Sequence, residues 1–178
     1  MTTEELDGYP WPRVRVYQVV NATPREVMAV FTDYNNACEF VPNCLKSRIA
    51  RQVNPRVAEV DYLIDVPILA DEAYTVRDTL STGPAGALKV DWKVLKATSI
   101  EESVGSLYVE PYGKTGSVLR YTNLVKPSSM AAPLLRGVAM GQIKDTVQAI
   151  VDQVEETKAK PAAMNSLLDR LDAALGVK

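Results

Sequence analysis

Val16-Tyr17-Gln18-Val19-Val20-Asn21-Ala22-Thr23-Pro24-Arg25-Glu26-Val27 carries the chain from a strand into a helix within a few residues. Arg13 to Val20 alternates with β-branched residues, the pattern of a strand. Thr23 then supplies a capping hydroxyl, Pro24 suits the first helical position, and Glu26 completes a capping box. The helix should run to about Thr32 and bury Val27, Val30 and Phe31. Asp33 to Phe40 reads as a second short helix, closed by Val41-Pro42-Asn43.

Upstream, Tyr9-Pro10-Trp11-Pro12 is extended, because each proline biases the residue before it away from helix. Downstream, the hydrophobic period becomes two. Strands are predicted over 45–53, 57–66, 73–81, 88–94, 99–110 and 117–126, with turn chemistry or Pro67 between them. In the second of these Ala58, Val60, Tyr62, Ile64 and Val66 share a face, and in the fourth Leu88, Val90, Trp92 and Val94 do. After Pro127 the period switches to that of a helix, which continues over 128–158 and should be about 45 Å long. Pro161 stops it. Leu167, Leu168, Leu171 and Leu175 then form an apolar stripe flanked by Asp169 and Asp172, suited to docking on the domain itself or on a second copy.

These elements predict an α+β helix-grip fold: a seven-stranded antiparallel sheet wrapped around a long C-terminal helix, with two short helices between strands one and two. A sheet curled around one helix leaves a gap between them, the natural place for a ligand.

Composition removes several chemistries. The 178 residues contain no histidine, so Ser-His-Asp and Cys-His nucleophiles and most catalytic zinc sites are excluded. A net charge of -2 gives no reason to expect nucleic acid. No stretch is apolar for long enough to span a bilayer. Cys38 and Cys44 are too few for structural zinc; they read as two half-buried free thiols, with a short-loop disulfide as the alternative. Gly113-Lys114-Thr115 lacks the earlier glycine of a phosphate loop and reads as a hairpin. Asp71-Glu72 and Glu101-Glu102 are adjacent in strands, so the members of each pair diverge; both pairs read as solvated charges. No catalytic residue, metal or cofactor is assigned.

Inward strand positions and a helix face spaced i, i+4, i+7 select the candidate ligand contacts: Tyr62, Ile64, Tyr74, Val76, Trp92, Tyr121, Leu134, Val138 and Gly141, with Arg136 or Gln142 as the polar contact. The small residues Gly137 and Gly141 offer room beneath the helix.

The residue order resembles the START-like, or Bet v 1-like, superfamily, nearest its polyketide cyclase/dehydrase and coenzyme Q-binding Coq10-type members. The resemblance spans about 9–158. Its carriers are Val16-Tyr17, Asn21 to Val27, Phe31-Thr32-Asp33-Tyr34, Asp65-Val66-Pro67, Tyr74-Thr75-Val76, Tyr121 and the helix after Lys126-Pro127. It implies a hydrophobic cavity between sheet and helix, and therefore binding or carriage of a lipid, an isoprenoid or quinone, or an aromatic polyketide-like molecule. The alternatives on the same fold are a cyclase/dehydratase-type enzyme and an interaction domain with a filled cavity. The expected organisation is a disordered tail at 1–8, a START-like ligand-binding domain at 9–160, and a short amphipathic C-terminal helix or tail at 161–178. The expected partner is an apolar small molecule, without nucleic acid or stable membrane insertion, and with a homodimer through the C-terminal helix as one docking mode. A cytoplasmic setting is the default, a periplasmic or secreted one if a signal peptide was removed.

Overall fold

A computed structural model describes residues 1–66, 70–128 and 132–177, apart from the side chain of Pro133. The break expected at Pro67, the contribution of Met130 to the helix face and the ring of Pro133 lie outside the described residues.

The sheet is antiparallel throughout, in the order β1-β2-β8-β7-β6-β5-β4-β3. Its strands are β1 (Thr2–Glu4), β2 (Arg13–Val20), β3 (Cys44–Asn54), β4 (Val57–Ile64), β5 (Glu72–Thr82), β6 (Leu88–Ala97), β7 (Ile100–Tyr112) and β8 (Gly116–Pro127). The helices are α1 (Pro24–Phe31), a 3-10 turn at Tyr34–Glu39, α2 (Ala132–Lys158) and α3 (Pro161–Leu175). Thr23 and Glu26 form the capping box reciprocally, which fixes where β2 gives way to α1. Gly113, in a left-handed conformation, turns the β7–β8 hairpin at the place where the glycine-lysine-threonine sequence stands.

The sheet has eight strands rather than the expected seven. The additional one is β1, within the segment read as a tail. It pairs with the edge of β2, and the Glu4 carboxylate receives Arg13 at 3.1 Å and Arg15 at 2.9 Å. A three-residue edge strand held by polar contacts needs no alternation of apolar residues, so its signal is absent from the hydrophobic pattern.

The main core lies where α1, α2 and α3 meet the sheet. Val147, Val151 and Val154 of α2 pack there with Val27 and Val30 of α1 and with Val90, Leu107 and Leu119 of the sheet. Met164, Leu167, Leu171 and Leu175 of α3 are buried in the same cluster, with Leu168 packed at its margin. Ion pairs Arg25–Asp172 and Arg170–Asp33, the latter at 3.0 Å, fasten this helix to α1 and the turn after it. The stripe that a homodimer would use is thus covered within the chain. No helix among the described residues is long and apolar enough to cross a membrane.

Cys38 and Cys44 are joined as a disulfide, not left as thiols. The 3-10 turn brings their Cα atoms to 4.8 Å, a distance ordinary for such a bond and not readable from a spacing of six.

Candidate ligand cavity

A cavity of about 330 Å³ lies between the sheet and the first half of α2. Its floor is built around Trp92. The indole lies 6.2 Å from the ring of Phe31 and 5.1 Å from that of Tyr121. Gly105, the β7 partner of Trp92, makes this possible: a side chain there would collide with the indole and with the Thr122 carbonyl. One wall is the stacked pair Tyr62 and Tyr74, cross-strand neighbours with ring centres 5.4 Å apart. Trp11, Pro42, Asn43, Val66 and Ile100 also line the cavity. There Trp11 donates its indole N–H to the Ala132 carbonyl at 2.6 Å and so ties the first turn of α2 to the sheet. The Cys38–Cys44 bond closes the loop that brings Phe40 to Asn43 to the cavity.

Of the residues selected from sequence, Tyr62, Ile64, Tyr74, Val76, Trp92, Tyr121 and Gln142 line this space. Leu134, Arg136, Val138 and Gly141 do not. Leu134 is 87% exposed, Val138 is 43% exposed, and nothing approaches the position a side chain at Gly141 would take. Arg136 points away from the cavity and pairs with Glu5 just beyond β1. The face of α2 over the cavity is instead Leu135, Ala139, Met140, Gln142, Ile143, Thr146 and Ile150. At about 100° per residue, Leu134 lies roughly 160° around the helix from Ile150, whereas Ala139 lies within about 20° of it.

The acidic residues of the cavity and Asn123 were not among those selected from sequence. Asp78 is only 4% exposed, lines the cavity, and has an Oδ2 without a hydrogen-bond partner among the described residues. Burial pushes its carboxyl up to about 7. Period two places it with Tyr74 and Val76, so an acidic residue on an apolar strand face was the available signal. Glu72, read as solvated, is buried. It accepts the backbone N–H of Thr98 at 2.8 Å and of Ser99 at 3.1 Å, together with the Ser99 hydroxyl, and so holds the turn between β6 and β7. Asn123 Oδ1 is a second buried acceptor without a partner among the described residues. Tyr34, Tyr62, Tyr74 and Tyr121 are held protonated well beyond neutrality, chiefly by burial. The site therefore combines aromatic walls, hydroxyl groups and one buried acid that can give or take a proton near neutral pH.

The model of the family described as polyketide cyclase / dehydrase and lipid transport matches residues 20–152. A UBA-like domain model also matches residues 136–174, a span that here belongs to α2 and α3 packed on the common core. No curated protein matches the chain. Among solved structures, a STAR-related lipid transfer protein from Xanthomonas axonopodis is similar with a TM-score of 0.77 and 15% identity, covering 86% of this chain and 91% of that one. The Zhui aromatase/cyclase from Streptomyces sp. R1128 has a TM-score of 0.70 and 16% identity, covering 80% and 93%. A START superfamily protein from Mycobacterium smegmatis has a TM-score of 0.66 and 11% identity, covering 81% and 97%. The chain shares the helix-grip fold of these structures, and with the family match running from the end of β2 into the second half of α2 it belongs to the polyketide cyclase/dehydrase and lipid transport family.

Proposed function

We propose that the protein binds and carries one apolar small molecule in the cavity beneath the first half of α2. The observation that carries this reading is the cavity itself. It is walled by aromatic and aliphatic side chains, Trp11, Pro42 and Ile100 among its lining, and no side chain among the described residues fills it. A core residue at such a position would otherwise be selected to close the void, since an unfilled apolar space forfeits dispersion contacts.

About 330 Å³ stands at the low end of the roughly 300–1,000 Å³ usual for small-molecule sites. That size and the flat rings of Tyr62, Tyr74 and Trp92 favour a single ring system or a single isoprenoid-like chain over a two-chain lipid. Lipid transfer and aromatase/cyclase both appear among the similar structures, so fold alone does not choose between cargoes.

Native mass spectrometry of the protein as purified tests the proposal. We expect an added mass of a few hundred daltons that organic extraction removes, or uptake of one equivalent of an apolar dye by the empty protein. A chain that carries nothing and takes up no apolar dye would overturn it.

A further inference from the structure

The charge of the cavity is one-sided. It is lined by two acidic residues, Glu72 and Asp78, and by no lysine or arginine among the described residues. Glu72 is occupied by the turn at Thr98 and Ser99. Asp78 is not: it lines the cavity, and its Oδ2 is buried and lacks a partner among the described residues. A buried acceptor left open is costly, and a buried carboxylate more so, unless something supplies a hydrogen bond or a positive charge. Tyr34 from the 3-10 turn, Tyr62 from β4, Tyr74 from its own strand and Tyr121 from β8 line the same cavity as this carboxyl, and Trp92 is its cross-strand partner on β6. The helices add only uncharged groups at the cavity, Phe31 from α1 and Gln142 and Thr146 from α2. An acid in an aromatic-lined cavity, with no competing cation among the described residues, has the composition that binds ammonium groups by charge pairing and cation–π attraction.

We propose that the cavity selects a ligand with an apolar body and a protonated amine, the amine pairing with Asp78 between the aromatic walls. This rests on the cavity-binding reading above and specifies the class of its ligand. Fatty acids and other carboxylates are disfavoured in the same step, because nothing lining the cavity could neutralise a second negative charge.

The test uses three probes of one shape: naphthalen-2-ylmethylammonium, naphthalen-2-ylmethanol and 2-naphthoate. Affinities are measured by calorimetry on the full chain at pH 8. The ammonium should bind at least about tenfold more tightly than the alcohol, and the carboxylate more weakly than either. Asp78→Asn should bring the ammonium to the level of the alcohol. The wild-type protein supplies an independent readout. Since the free carboxyl sits at about 7, ammonium affinity should rise about tenfold from pH 6 to pH 8 while the alcohol stays level. An alcohol that binds as well as the ammonium, or an ammonium affinity flat across this range, would overturn the charge assignment and leave the cavity reading standing. Failure of all three probes to bind would overturn both.

Discussion

The two halves of α2 are one continuous helix with opposite duties. From Val147 onward it is chiefly a core element: Val147, Val151 and Val154 are buried against α1, α3 and the sheet. Before Ile143 it is a roof. Leu135, Ala139 and Gln142 look onto empty space, while Leu134 and Val138 face solvent. The sheet beneath changes with it. Under the closed half stand Val90, Leu107 and Leu119; under the open half stand Tyr62, Tyr74, Trp92 and the buried acid Asp78. Stability is thus concentrated at one end of the helix and the ligand space at the other, with Trp11 and the Arg136–Glu5 pair holding the roof in place.

The largest expected effect contrasts the halves directly. Val154→Asp places a charge in the closed core, where Val154 is fully buried, and should cost several kcal/mol in urea denaturation. Leu134→Asp on the outer side of the roof should stay within about 0.5 kcal/mol. Equal costs would mean that the roof is as densely packed as the closed half.

A smaller effect separates the acid from its surroundings. The carboxyl of Asp78 ionises near 3.8 in the unfolded chain and at about 7 in the folded one. Between these values the unfolded state holds fewer protons, so this residue makes stability fall as pH rises. At about 1.4 kcal/mol per pH unit the full penalty above neutrality is at most roughly 4 kcal/mol. Thermal melts should therefore show Asp78→Asn matching the wild type near pH 4 and exceeding it by pH 8. A variant less stable than the wild type at pH 8 would mean that the folded protein stabilises the carboxylate.

Most of the fold was legible because strands and caps report themselves locally. The alternation in 57–66 and 88–94 and the capping box at Thr23 give element type and facing without tertiary information. The inward strand residues of the cavity follow from the same alternation. The helix face did not, and the reason is specific. Residues 134–143 are apolar or small nearly all round, so any stripe drawn through them looks plausible, and Leu134, Val138 and Gly141 lay on the wrong one. Counting back from the buried Ile150 in steps of 3.6 leads to Thr146, Ile143 and Ala139, all on the observed face. The amphipathic half of the helix held the phase that the uniform half lacked. Asp78 escaped selection because a lone acid on an apolar strand face looks like an exception to the pattern, although burial without a partner among the described residues makes it the most informative residue in the cavity. The disulfide depended on how the 3-10 turn folds back, which no spacing rule supplies.

The central claim is that the ligand space lies beneath the Ala139 face of α2 and not beneath the Gly141 face. Titration of an apolar fluorescent probe into Ala139→Phe and Gly141→Leu, each checked for an intact fold by circular dichroism, tests it most directly. Ala139→Phe should lose at least tenfold in affinity, about 1.4 kcal/mol, and Gly141→Leu should keep wild-type affinity. Unchanged binding by Ala139→Phe together with loss in Gly141→Leu would contradict it.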